Sequence, residues 1–215
     1  MKKTYIIAEI GINHNGDLDI AKRLIDIAHL SGCNAVKFQK RNPDVCVPEH
    51  QKSVMRDTPW GKMTYLDYKY KVEFGKEEYD EIDSYCKKIG IEWSASPWDL
   101  DSLEFLNQYD IPFIKIPSAM LTNDELLTAT AKTGKRIILS TGMSVIEEID
   151  NAVNILETYC KDRNFALLHC VSTYPAKLEE LNLSCIQTLK NRYKCEVGYS
   201  GHEFRLNPSV AAIYF

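Results

Sequence analysis

The sequence predicts an α/β protein of the TIM (β/α)8-type barrel class, truncated after about seven strands. Three observations carry that prediction. Short apolar runs alternate with amphipathic stretches along the whole chain. Runs such as Arg136-Ile137-Ile138-Leu139 and Phe165-Ala166-Leu167-Leu168 are almost wholly apolar, as parallel strands covered by helices must be. Each run ends in polar residues, whereas an open doubly wound sheet gathers its site at one switch point and carries a glycine phosphate loop that this chain lacks.

The elements follow in order. Tyr5-Ile6-Ile7-Ala8 delivers Glu9 toward the turn Asn13-His14-Asn15-Gly16, and Asp17 to Leu30 reads as a helix with Ile20, Leu24, Ile27 and Ala28 on one face. Val36-Lys37-Phe38-Gln39 is the second strand. Residues 40–75, rich in Asp, Pro, Tyr and Lys, read as an extended loop able to fold over a site. Glu77 to Ile89 is the next helix, with Tyr79, Ile82, Tyr85, Cys86 and Ile89 on one face, followed by the strand Trp93-Ser94-Ala95-Ser96-Pro97. Helices over 101–108, 124–132, 145–160 and 181–190 separate strands ending at Lys115-Ile116-Pro117-Ser118, Ser140-Thr141-Gly142, His169-Cys170 and Tyr199-Ser200-Gly201-His202. Ser144 is the expected N-cap of the 145–160 helix, and Gly32, Gly90 and Gly134 stand where helices stop. Pro208 to Phe215 reads as the first turns of another helix, so 1–215 is expected to be one barrel domain lacking its eighth strand, a fragment or a truncated reading frame with an exposed sheet edge.

Composition narrows the function. The chain has 215 residues, 45% of them apolar, and a formal charge of -4 without a basic block, which argues against nucleic acid or an anionic membrane as partner and for a small molecule. Glu9 interrupts the first apolar run before it reaches the length of a targeting core, so a cytoplasmic protein is expected. The seven cysteines contain no C-x-x-C pair and are expected to be free, mostly buried thiols that bind no zinc.

The residues with chemistry stand at strand ends. Lys37 and Lys115, with Ser96, Ser118, Ser140, Thr141, Ser172 and Ser200, are cations and hydroxyls suited to a phosphate or carboxylate, although a strand-end lysine can also simply reach solvent. Glu9, expected to be largely enclosed, is either paired, with a nearby lysine, or functional. His202 fits a metal ligand or an acid/base group, but no second histidine stands at metal spacing. His169, inside an apolar run, reads as a hydrogen-bonded core histidine, and His14 as an organiser of the first turn. Tyr174-Pro175 offers a hydroxyl and a stiff wall, while Trp60, Trp93 and Trp98 read as core or loop anchors.

Taken together, Glu9-Ile10-Gly11-Ile12-Asn13-His14-Asn15-Gly16, Val36-Lys37-Phe38-Gln39, Ser96-Pro97, Lys115-Ile116-Pro117-Ser118-Ala119, Ile138 to Met143, Leu168-His169-Cys170, Tyr174-Pro175 and Gly198 to His202 resemble the catalytic barrel of the sialic acid synthases. The resemblance spans nearly the whole chain. It implies condensation of phosphoenolpyruvate with an N-acetylated amino sugar in its open aldehyde form, giving a nine-carbon 3-deoxy-2-keto acid and phosphate. It further implies that Lys37, Ser96, Lys115, Ser118, Ser140 and Ser200 hold the phosphate and carboxylate of phosphoenolpyruvate, and that Gln39 and Tyr174 contact the sugar. Glu9 would stabilise the cationic centre at C2 or manage the proton of the attacking water, and His202 would ligate a divalent metal, manganese or magnesium, that polarises the aldehyde. Ser172 stands at a phosphate contact where some relatives have asparagine. Met120 stands where many relatives place an acidic residue on the amino sugar, which makes a diacetamido-trideoxyhexose the alternative acceptor to N-acetylmannosamine. The resemblance also implies a homodimeric full-length parent with a C-terminal antifreeze-like domain and a second metal histidine, both outside this sequence, so that the isolated chain would be inactive. The other readings are a different 3-deoxy sugar-acid synthase or aldolase on the same barrel, and a non-catalytic ligand-binding fragment.

Overall fold

In the computed structural model, which describes residues 4–215, the chain falls into two units, Met1–Pro112 and Phe113–Phe215. The first contains β1 (Ile7–Gly11), α1 (Leu18–Leu30), β2 (Ala35–Lys40), α2 (Pro43–Cys46), α3 (Glu49–Lys52), β3 (Met55–Thr58), β4 (Gly61–Thr64), α4 (Tyr65–Val72), α5 (Lys76–Ile89), β5 (Glu92–Pro97) and α6 (Leu100–Leu106). The second contains β6 (Phe113–Ile116), α7 (Asp124–Lys132), β7 (Arg136–Ser140), α8 (Ile146–Tyr159), β8 (Phe165–Cys170), α9 (Cys185–Tyr193), β9 (Glu196–Ser200) and α10 (Asn207–Ala212). The strands β1-β2-β5 form one parallel sheet and β6-β7-β8-β9 another, so all seven predicted strands are present and parallel within their sheets.

Local chemistry sets the boundaries. Asp17 caps α1 by accepting the Ile20 N–H at 2.9 Å, and Gly32 and Gly90 close α1 and α5 at positive φ. Helix α1 is rotated from its expected face: Ala21, Ile25 and Ala28 are buried while Ile27 is exposed. Positions 21, 25 and 28 follow the i, i+4, i+7 spacing of one helical face, and Ile27 lies off it. Helix α5 buries Tyr79, Ile82 and Cys86 as its spacing requires. Ser144 does not cap α8. Its hydroxyl donates to the Gly142 carbonyl at 3.2 Å, and Glu148 instead accepts the Val145 N–H at 2.9 Å. The 181–190 stretch becomes helical only at Cys185, after a single turn at Leu178–Glu180.

The segment between β2 and α5 is not an extended loop. Asn42 caps α2 with Pro43 at its first position, Thr64 caps α4, and β3 and β4 pair antiparallel across a turn closed by the Thr58 hydroxyl on the Gly61 carbonyl at 2.7 Å. Its two ends are tied together. Lys40 Nζ meets Glu73 Oε1 at 2.8 Å and the Phe74 carbonyl at 2.9 Å, and Glu73 also accepts the Arg41 N–H at 3.0 Å.

His14 joins this segment to the turn after β1. Its ring is 2% exposed and stacks on Phe74 with centroids 3.9 Å apart, while Nδ1 accepts the Gly16 N–H at 3.1 Å. Burial pushes its pKa down to about 4. The unfolded chain therefore takes up this proton first as pH falls. The stability that His14 contributes is complete above about pH 6.5 and is lost progressively toward pH 4, amounting to about 3 kcal/mol at most. Urea midpoints measured between pH 7 and pH 4 should fall less steeply for His14→Gln than for the parent chain. Equal slopes would contradict a neutral buried imidazole.

Among the described residues no helix is long and apolar enough to cross a membrane. All seven cysteines are free, in agreement with their spacing, but only Cys86 and Cys170 are buried and the other five are half-buried, against the expectation of mostly buried thiols.

Candidate functional site

Period-two alternation along β2 puts Lys37 and Gln39 on one face, and Val36 and Phe38 in the core on the other. In the parallel register Glu9 pairs with Lys37, and Gln39 pairs with Ser96. A register shift between Glu9 and Gly11, with Gly11 at φ +56, lets β1 end in a tight turn. Lys37 Nζ lies 2.8 Å from Glu9 Oε2 and donates to Ser96 Oγ at 2.9 Å and to the Phe38 carbonyl at 3.1 Å. Lys37 and Ser96 are buried, so this lysine does not reach bulk solvent.

Glu9 is paired with Lys37, one of the two alternatives its position left open, but it is not enclosed as expected: its side chain is 53% exposed. The carboxylate is open to solvent while the lysine that holds it is buried. Such a group is accessible to a ligand and still held by a buried cation. A Cβ placed on Gly11 would lie 3.0 Å from Glu9 Oε1 and 3.4 Å from Gln39 Nε2, so both side chains crowd the same glycine.

The alternation also exposes a residue the sequence reading passed over. Arg41 continues the Lys37-Gln39 face, is 8% exposed, and donates through Nη2 to Gln39 Oε1. An arginine only donates, so the Gln39 amide is fixed with its oxygen toward Arg41 and its NH2 directed elsewhere. The run Gln39-Lys40-Arg41 was a usable signal, because a cation two residues beyond a polar strand-end side chain shares its face.

In the second unit Lys115 is level with Ile138 in the ladder, Ser140 with Leu168, and Cys170 with Ser200. Lys115, Ser140 and Ser200 therefore belong to one face of this sheet. The Ser140 hydroxyl is 1% exposed and has no hydrogen-bond partner among the described residues, an orphan in the row. Ser118 Oγ accepts the Gly142 N–H at 3.0 Å and touches Cys170 Sγ at 3.1 Å. A Cβ on Gly142 would overlap Ser172 Oγ and lie 2.9 Å from Cys170 Sγ and 3.0 Å from Ser118 Oγ, so only glycine lets these groups converge.

His202 Nδ1 faces the Val171 carbonyl at 2.6 Å and therefore carries the proton in the neutral ring, leaving the Nε2 lone pair 3.0 Å from the Tyr174 hydroxyl. Tyr174 is 76% exposed, and its ring centroid lies 4.2 Å from that of His202. His169 points to the other face of β8, with Nε2 on the Leu181 carbonyl at 2.7 Å, the core role expected of it. Among the described residues no group of three or more His, Cys, Asp or Glu side chains could hold a metal, so His202 offers a single ligand.

The structure thus brings together Glu9, Lys37 and Ser96, with Gln39 alongside, then Ser118 and Ser172 about Gly142, and finally Tyr174 with His202. Lys115, Ser140 and Ser200 share a sheet face.

Residues 24–215 match the NeuB family. The N,N'-diacetyllegionaminic acid synthase of Campylobacter jejuni is 41% identical over 99% of this chain and 65% of its own length. The N-acetylneuraminate-9-phosphate synthase of Drosophila melanogaster is 37% identical over 97% of this chain and 56% of its own. The crystal structure of the N-acetylneuraminic acid synthetase of Leptospira borgpetersenii superposes with a TM-score of 0.89 at 36% identity, covering 99% of this chain and 70% of that one. The chain spans about three fifths of the length of the curated relatives it matches.

Proposed function

Because the chain belongs to the NeuB family, we propose that it carries the barrel residues of a nonulosonic acid synthase, which joins phosphoenolpyruvate to an N-acetylated amino sugar and releases phosphate. The observation that carries this reading is the exposed Glu9 carboxylate held 2.8 Å from the buried Lys37, which is itself bonded to Ser96. It supplies what the reaction requires: a fixed cation for an anionic substrate and an accessible carboxylate beside it.

In the proposed reaction, C3 of phosphoenolpyruvate forms a bond to the sugar aldehyde carbon while the enol double bond shifts to leave positive charge at C2. Glu9 stabilises that charge and takes one proton of the water that adds there, to be returned to the oxygen of the former aldehyde, and the tetrahedral intermediate then collapses to the 2-keto group, expelling phosphate together with the remaining hydroxyl proton. Lys37 and Ser96 in the first unit, and Lys115, Ser118, Ser140, Ser172 and Ser200 in the second, are the proposed contacts of the phosphate and carboxylate. Gln39 and Tyr174 are the proposed sugar contacts. A divalent metal, manganese or magnesium, would act on the aldehyde oxygen as a Lewis acid, with His202 Nε2 as one proposed ligand. One ligand does not make a metal site, so no step is derived through it.

The similarity to a diacetyllegionaminic acid synthase, with Met120 after the Lys115-to-Ser118 turn, supports a 2,4-diacetamido-trideoxyhexose as acceptor. A cytoplasmic enzyme, homodimeric in its full-length form, completes the proposal.

The test is phosphate release from phosphoenolpyruvate with manganese, for the chain alone and joined to the C-terminal segment of the Campylobacter jejuni relative. Release that depends on the diacetamido sugar is expected in the joined form. Release with N-acetylmannosamine alone would overturn the acceptor assignment, and none with either sugar would overturn the synthase reading.

A further inference from the structure

The Ser118 hydroxyl has two fixed neighbours. Its Oγ accepts the Gly142 N–H at 3.0 Å and lies 3.1 Å from Cys170 Sγ. Thr141 donates to the Leu168 carbonyl through its backbone N–H and through Oγ1, each at 3.0 Å, which holds the turn that carries Gly142. Cys170 ends β8 level with Ser200, on the sheet face of Lys115 and Ser140, and is buried. Ser118 and Ser172, by contrast, are only half-buried.

A hydroxyl has one proton and two lone pairs. The Gly142 N–H takes one lone pair, so the contact with Cys170 decides what the proton can do. If Ser118 donated to the sulfur, its proton would go to a weak acceptor and its oxygen would offer an anion nothing but a lone pair. If Cys170 donates instead, both lone pairs are filled and the Ser118 proton points away from Gly142 and Cys170. The second arrangement makes more bonds, because the thiol proton and the hydroxyl proton are both used, the latter on an oxygen of water or ligand. Ser140, on the same sheet face, is 1% exposed and has no partner among the described residues, a second unspent hydroxyl in this row.

We propose that Cys170 is a positioning residue for the anion contacts of the second unit: its thiol donates to the Ser118 oxygen and so turns the one Ser118 proton toward a bound phosphate or carboxylate. The identity of that anion rests on the synthase reading; the direction of the Cys170 bond does not.

Two measurements test this. The first is the infrared S–H stretching band of Cys170, taken as the parent spectrum minus that of Cys170→Ala so that the remaining thiols cancel, with and without phosphoenolpyruvate. A band lowered from the free-thiol position, the mark of a donating S–H, is expected. The second is calorimetric titration of the parent chain, Cys170→Ala and Cys170→Ser with phosphoenolpyruvate and with inorganic phosphate. Loss of one hydrogen bond should weaken binding about fivefold in Cys170→Ala. Cys170→Ser, whose hydroxyl can donate from the same place, should restore it. A packing role alone predicts otherwise, since serine is smaller and more polar than cysteine and would do no better than alanine.

A band at the free-thiol position in both conditions, unchanged affinity in Cys170→Ala, or failure of serine to restore it overturns the positioning role. So does the absence of binding of either anion by the parent chain. Affinities that follow Cys170 as expected, with no phosphate release by the form joined to the relative's C-terminal segment, keep the role and remove the synthase reading. Turnover by the joined form, with the same KM for phosphoenolpyruvate after Cys170→Ala, keeps the synthase reading and removes the role.

Discussion

Gly16→Ala is expected to destabilise the protein by about 3 kcal/mol or more, the largest effect of any glycine in the chain. Two independent costs meet at this position. Gly16 has φ +71, a conformation that costs an L-residue roughly 1–2 kcal/mol. A Cβ there would overlap the Lys71 carbonyl oxygen, and backbone at the end of α4 cannot swing aside as a side-chain tip could. Gly32 is the control, since its φ is +78 and nothing stands within 4 Å of its Cβ direction. Urea unfolding of the two variants separates conformational strain from collision. Gly32→Ala should cost about 1 kcal/mol, and equal losses would show that the turn after β1 does not press on α4.

The second large effect concerns binding. Lys37→Met should weaken phosphoenolpyruvate binding by about ten- to one-hundred-fold, the equivalent of one or two charge-assisted hydrogen bonds. Stability should change much less. Methionine fills the same buried space without a charge to desolvate, and Glu9, 53% exposed, regains water when its partner goes. Titration of phosphoenolpyruvate against both proteins, with urea midpoints measured alongside, reads the two quantities separately. A variant that loses stability but keeps its affinity would make Lys37 a structural residue and remove it from the proposed phosphate contacts.

Much of this architecture was legible in the residues. Apolar runs of strand length alternating with 3.6-period stretches gave all seven parallel strands, because burial under helices leaves few other patterns. The Glu9–lysine pairing was legible too, since a carboxylate after an apolar strand needs a partner. Its exposure was not, because that depends on how sharply β1 turns at Gly11. The segment after β2 was misread for another reason. Its elements are four to eight residues long and lack a periodic apolar face, yet Asn42-Pro43 and Thr64-x-x-Asp67 are capping signals that a closer reading would have used. Lys37 and Lys40 look alike in sequence, and only the fold separates a lysine beneath a carboxylate at a strand end from one that ties a chain segment to Glu73.

The double fastening of residues 40–75, through Lys40 and Arg41 on Glu73 and through Gly16 against Lys71, bears on how such a protein can diverge. A stretch anchored where it leaves the scaffold and again where it returns behaves as an exchangeable cassette. Its interior can lengthen, shorten or change charge without shifting the ladder that holds Glu9 and Lys37, because the anchors absorb none of the change. Novelty in what is recognised can therefore accumulate between α2 and α4, while the chemistry carried by β1 and β2 is inherited intact.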